Sequence, residues 1–171
     1  MRTIQTSTLF FAVMFLATPV FSQEAERHGQ RYVFVGGGAW PGELGPDPLM
    51  SAGGGVERRV YRGIGIAGEI QAFAQPSGRR YYGGGTLSAY GAYHFTDSAR
   101  APGKLVPFGT GGFSAVLLCA GGCWPTFGFN VGGGINYWRT AGRGLRLEFR
   151  DTVTKDYGAT HLWEVRTGFS F

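Results

Sequence analysis

Three histidines, two cysteines and a scatter of carboxylates are the residues here that could do more than fill space. His28 precedes the first patterned segment, His94 falls near the end of another, and His161 opens the last. A nucleophilic site needs a hydroxyl or thiol within hydrogen-bond reach of such a base, and an acid to orient the base. His161 has Asp151 and Asp156 close in sequence, but the hydroxyls around it are Thr152, Thr154 and Thr160. No Ser is nearby and no His-x-Ser triplet occurs, so the required types do not converge and no catalytic residue is expected. Cys119 and Cys123 stand in CAGGC, and a C-x₃-C lacking a second pair or a neighbouring His is poor zinc spacing. No metal site is expected. The triplets Gly36–Gly38, Gly53–Gly55, Gly83–Gly85 and Gly132–Gly134 neither open a helix nor lead into Lys-Ser/Thr. They form no nucleotide cradle, and no cofactor is implied.

The elements that must carry these residues are strands. After residues 23–30, a polar leader, the chain is a succession of about eight alternating segments of roughly ten residues each, the length of a membrane-barrel strand. They read RYVFVGGGAW, SAGGGVERRVY, GIGIAGEIQAFA, YYGGGTLSAYGAYHF, KLVPFGTGGFSAVL, TFGFNVGGGINYW, GLRLEFRDTV and HLWEVRTGFSF. The connectors are PGELGPDPL, RG, QPSGRR, TDSARAPG, CAGGCWP, RTAGR and TKDYGAT, nearly all marked by turn formers. In GLRLEFRDTV, Leu145, Leu147, Phe149 and Val153 share one face and Arg146, Glu148, Arg150 and Thr152 the other. Asp151 interrupts the apolar face where the strand would leave hydrocarbon. The last segment sets Trp163, Val165, Thr167, Phe169 and Phe171 against Leu162, Glu164, Arg166, Gly168 and Ser170. The first, second and fifth segments have no clear phase, and Pro107 beside a glycine cluster suggests a bulge or bend.

Residues 1–22 read as a cleavable signal peptide: Arg2, the apolar run LFFAVMFLA, then a small residue, Ser22, at the cleavage point. No later stretch approaches the ~20 apolar residues of a membrane helix, which leaves a β-barrel open. Mean hydropathy is −0.05, yet 15% of residues are aromatic and 31 are Gly, a balance that disfavours both helices and disorder. The net charge of +5 is spread along the chain rather than gathered in a stripe, which excludes nucleic acid as a partner. Arg58, Arg59 and Arg62 sit around one turn, Arg139 and Arg143 around another. In an exported chain Cys119 and Cys123 fit a disulfide stapling a tight loop, with a free pair as the alternative.

Alternation alone separates no soluble sandwich from a membrane barrel; the side on which charge lies does. If TKDYGAT is centred on Tyr157, Glu148 faces Arg166 and Arg150 faces Glu164. Two cross-strand ion pairs on the polar parity suit a poorly solvated interior. Across RTAGR, Gly132, Gly134 and Asn136 come opposite Arg150, Glu148 and Arg146, small beside large, which fills a narrow lumen without a pore. The carboxylates Glu69, Glu148 and Glu164 then serve as structural partners of arginine rather than as acid–base groups. Trp40, Trp124, Tyr137, Trp138, Tyr157 and Trp163 fall near segment ends, where an aromatic girdle meets the membrane–water boundary.

On these residues the chain resembles the small outer-membrane β-barrels typified by the OmpA transmembrane domain and OmpX. The specific part is VRTGFSF: such barrels end on an aromatic preceded by alternating apolar residues, here Phe171 with Phe169, Val165 and Trp163, while Thr167 departs from the pattern. The resemblance implies an all-β, eight-stranded antiparallel up-and-down transmembrane barrel over residues 31–171, in a Gram-negative outer membrane. It implies outer-membrane lipids as surroundings, and assembly machinery that reads Phe169 and Phe171. Both termini would face the periplasm, with PGELGPDPL, QPSGRR, CAGGCWP and TKDYGAT outside. The function expected is structural or surface-interacting, with no enzyme activity; the alternatives are a lipid A-modifying deacylase-like barrel and a secreted lipocalin-like carrier.

Overall fold

The computed structural model describes residues 29–42, 45–75, 83–96, 102–119, 121–155 and 160–171. The signal peptide, His28, Asp156 and Tyr157 lie outside these residues. Eight strands follow one another: β1 (Gly29–Gly42), β2 (Gly45–Tyr61), β3 (Ile64–Ala74), β4 (Gly83–His94), β5 (Leu105–Cys119), β6 (Cys123–Thr140), β7 (Arg143–Thr154) and β8 (Thr160–Ser170). Each pairs antiparallel with its neighbour, and β8 returns to β1, closing the barrel. The closure is finished by two main-chain bonds of 2.8 Å, in which Phe171 N–H donates to the Arg31 carbonyl and Arg31 N–H to that of Phe171. A strand left unpaired would carry a row of unsatisfied amides; closure leaves no such edge.

The strands run further than their alternation suggested. Gly29 and Gln30, expected in the polar leader, pair with Arg58 and Glu57, and the β1–β2 ladder persists to Gly42↔Gly45, well into the expected connector. The β2–β3 turn is Arg62–Gly63, both with positive φ (29° and 82°), a backbone that suits glycine at its second position and matches the twist of the strands it joins. The bend expected at Pro107 is not there: β5 pairs through it with β6 without a shift. The Pro107 carbonyl accepts from Phe95 N–H at 3.0 Å, just past the end of β4. Its nitrogen faces the same way, so the missing N–H forgoes only the return bond to Phe95, past the end of β4, and leaves the ladder to β6 intact. The register shifts fall instead at Arg59/Tyr61 and Trp138/Thr140, near the terminus-side turns.

The outward parity is apolar around the whole circumference. Val33, Val56, Ile66, Leu87, Phe113, Phe127, Leu147 and Phe169 all stand exposed, Phe113 at 78% and Phe127 at 73%. A contiguous belt of this kind far exceeds the apolar patches of water-soluble proteins. Val153, expected on that belt, is buried, flanked in the ladder by Phe129 and His161. The expected girdle is incomplete: Trp138 is fully buried and Trp40 packs against Phe73, both on the inward parity. Trp124, Tyr137 and Trp163 are exposed.

Candidate functional site

Among the described residues, acidic and basic side chains converge in the interior. Phase follows from register: with Glu148 and Arg150 inward on β7, every second residue of the remaining strands must also point inward. Glu57, Glu69, Arg146, Glu148, Arg150, Glu164 and Arg166 are each at most 3% exposed, on a chain whose outer wall is hydrocarbon-like. Glycine makes room for them. A methyl group at Gly134 would collide with the Leu147 carbonyl and the Glu148 backbone, and one at Gly38 with the Trp163 carbonyl.

The ladder sets Glu148 opposite Arg166 and Arg150 opposite Glu164, the register the sequence implied. The ion contacts themselves run differently. Glu148 takes Arg146 at 3.0 Å and Arg150 at 2.5 Å, both two residues away on its own strand, and Arg166 takes Glu164 at 2.6 Å. The remaining nitrogens turn inward to Glu69, whose Oε1 accepts from Arg150 Nη1 at 3.0 Å and Arg166 Nη1 at 2.7 Å. A carboxylate from the far wall, competing for both guanidinium groups, draws them off the direct cross-strand line. Glu69 stands on β3 and Arg150 on β7, four strands apart in a ring of eight, so this contact spans a diameter. Tyr32 donates to Glu69 Oε2 at 2.7 Å and also touches the Tyr90 hydroxyl.

Arginine faces are covered as well as their edges. Arg146 lies over Tyr32 and Phe108, Arg150 over Tyr90, and Arg166 over Phe34, with 4.0–4.6 Å from the guanidinium carbon to the ring centre. Toward the termini, His94 contacts Glu57, which also accepts from Gln30 at 3.2 Å. Toward the opposite end, Gln71 donates to Glu164 at 2.6 Å. Above that layer Leu49, Phe73, Val116 and Leu162 form an apolar plug with Trp40 and Leu118 packed on it. The lumen is therefore filled in layers: greasy at the end away from the termini, ionic in the middle, mixed aromatic and polar below. A carrier for apolar ligands would need the reverse lining.

Sequence reasoning placed Glu69, Glu148, Arg150, Glu164 and Arg166 on the inner face. It missed Tyr32, Glu57 and His94. The signal was available in principle, since extending the register from β3 through β2 to β1 fixes the phase of the two segments that alternation left open. Phe169 and Phe171 are exposed at 64% and 51% on the outward side. Cys119 and Cys123 face each other in the β5–β6 ladder and are joined by a disulfide.

A histidine and a carboxylate also meet on the outer side. His161 Nδ1 meets Asp151 Oδ2 at 2.8 Å on the outward parity, with Trp163 beside the imidazole. This contact gives one oxygen of the carboxylate that interrupts the apolar face a partner. Of the hydroxyls nearest it in sequence, Thr152 and Thr154 are buried on the lumen side and Thr160, next to His161, is half-buried.

No family model matches the sequence, and neither does any curated protein. Solved structures do match in fold. Neisserial surface protein A superposes with a TM-score of 0.72 at 14% identity, over 83% of this chain and 95% of that one. The N-terminal β-barrel domain of Pseudomonas aeruginosa OprF gives 0.57 at 16% identity, over 83% and 97%. Ail, the attachment invasion locus protein of Yersinia pestis, gives 0.53 at 10% identity, over 84% and 99%. With its apolar exterior, its ionised interior and eight strands closed without an edge, the chain has the fold of these small outer-membrane β-barrels of the OmpA and OmpX type.

Proposed function

We propose that the protein is an integral barrel of a Gram-negative outer membrane, exported by a signal peptide over residues 1–22. It acts as a structural or surface-contact element of the envelope. The observation that carries this is the inversion of ordinary globular chemistry: Phe113, Phe127 and Phe169 look outward while Glu69, Arg150 and Arg166 are sealed inside. The plug of Leu49, Phe73, Val116 and Leu162 argues against a pore. Contact with other surfaces is supported by the kinds of protein that share the fold, a surface protein and an attachment invasion locus protein, the latter also solved with the heparin analogue sucrose octasulfate. Insertion would proceed through the assembly machinery, which reads Phe169 and Phe171 on the closing strand.

The test is outer-membrane fractionation with gel electrophoresis of heated and unheated samples. A folded barrel enters the membrane fraction and shifts in mobility on heating. Recovery with soluble proteins, migrating as unfolded without heating, would sink the proposal.

A second reading, a lipid-modifying enzyme, draws on the Asp151–His161 contact at the outer surface, where a base oriented by a carboxylate faces acyl chains and headgroups. Overexpression of the wild type beside His161→Ala, followed by mass analysis of lipid A, decides it. A mass loss with the wild type alone establishes the enzyme, and identical spectra remove it.

A further inference from the structure

Several of the basic residues that look scattered in sequence are gathered by the fold at one end. The Arg62–Gly63 turn, the Ala141–Gly142 turn and the start of β5 all lie at the terminus side of the barrel. They bring Arg58, Arg62, Lys104, Arg139 and Arg143 to that rim, every one exposed. Arg31 stands at the corresponding place on β1. Among the described residues the carboxylate side chain at this end is Glu57, which is 3% exposed and already engaged by Gln30 and His94. Among the described residues the exposed charged side chains of this rim are therefore of one sign.

Direction matters as much as sign. Arg139 follows the outward Tyr137 by two residues, Arg143 precedes the outward Leu145 by two, and Arg58 follows the outward Val56 by two. Lys104 immediately precedes the outward Leu105. Arg58, Arg139 and Arg143 are thus set at the margin of the apolar belt, on long stems that can cover apolar surface while the charged head reaches outward. The positions are spread over β2, the β2–β3 turn, β5, β6 and β7, most of the circumference rather than one side. A compact acidic protein or a nucleic-acid strand would meet only part of such a ring. A sheet of anionic headgroups surrounding the barrel meets all of it.

We propose that the terminus-side rim is a binding ring for anionic phospholipid headgroups, such as phosphatidylglycerol, in the leaflet that surrounds that end. This rests on the membrane-barrel reading above. Each basic residue at a charged membrane surface contributes on the order of five-fold in binding. Averaged over the whole lipid shell, about a two-fold preference for anionic over zwitterionic lipid is expected.

The experiment uses the mature full-length chain refolded into phosphatidylcholine vesicles carrying traces of spin-labelled phosphatidylglycerol or spin-labelled phosphatidylcholine. Electron spin resonance then gives the relative association of the two labels with the protein. The preference should collapse toward one at high salt. It should also vanish in Arg58→Gln/Arg62→Gln/Arg139→Gln/Arg143→Gln and survive when the same four positions are lysine. Equal association of both labels with the wild type overturns the ring while leaving the barrel standing. A preference that persists in the glutamine variant, or that ignores salt, overturns it as well. Should the glutamine variant fail to fold, the salt dependence of the wild type decides. A chain that enters neither kind of vesicle overturns the barrel reading itself, and this proposal with it.

Discussion

Glu69→Gln is the sharpest perturbation of the lumen. The substitution keeps volume and one acceptor oxygen but removes the charge that Arg150 Nη1 and Arg166 Nη1 share at 3.0 and 2.7 Å. Breaking a buried ion pair by neutralising one partner costs about 3–5 kcal/mol, because the other charge stays desolvated. Here both arginines keep a second carboxylate, Glu148 at 2.5 Å and Glu164 at 2.6 Å, which places the expected loss near the lower figure, about 3 kcal/mol. The assay is equilibrium urea unfolding of the refolded barrel in phosphatidylcholine vesicles, followed by tryptophan fluorescence and by heat-modifiable mobility. Lys155→Gln, at an exposed position beyond β7, serves as the control and should change stability by less than about 0.5 kcal/mol. If Glu69→Gln costs under ~1 kcal/mol, the level of a solvent-screened surface pair, the lumen is wet and the argument from a poorly solvated interior fails.

Four further variants follow from the same geometry. Phe171→Ala keeps both main-chain bonds to Arg31 and removes only an exposed ring, so unfolding in vesicles should shift by less than about 0.5 kcal/mol. If the terminal aromatic is read during assembly, outer-membrane yield in cells should nevertheless fall several-fold; unchanged yield rejects that role. Gly134→Ala should destabilise the barrel by about 2 kcal/mol, because the new methyl meets main chain that cannot give way. Gly68→Ala, outward with nothing within 4 Å, should be neutral or stabilise by up to about 1 kcal/mol in the same urea titration. Removing the Cys119–Cys123 disulfide by double serine substitution should cost at most about 2 kcal/mol, since the loop it closes is short and the ladder already fixes the hairpin. The titration repeated with a reductant on the wild type should give the same value.

Most of the architecture was legible because period two is a direct readout of two-sided burial. Where alternation was clean, as from Leu145 to Arg150 and from Leu162 to Ser170, the inward and outward sets match the structure residue by residue. Glycine erased the signal elsewhere. In β1 and β2 the runs Gly36–Gly38 and Gly53–Gly55 carry no side chain to mark a face, so Tyr32 and Glu57 could not be assigned from their own strands. The ion contacts were hidden for a different reason. Register determines which Cα atoms are opposed, whereas an arginine side chain is long enough to choose among several carboxylates, and Glu69 is supplied by a wall remote in sequence. The two inward tryptophans were misread because position along a strand gives depth, not direction. Trp138 shares the girdle's depth but takes the parity of Asn136.

The diameter-spanning contact from Glu69 to Arg150 has a mechanical consequence. A hollow tube yields to sideways pressure by flattening, which shortens one axis and lengthens the other. Here a charged strut already at contact distance resists the first motion and would have to stretch under the second. With Arg166 fixed to the same carboxylate from an adjoining wall, the cross-section is triangulated. A bilayer around such a peg would conform to it, thinning or tilting, rather than deform it.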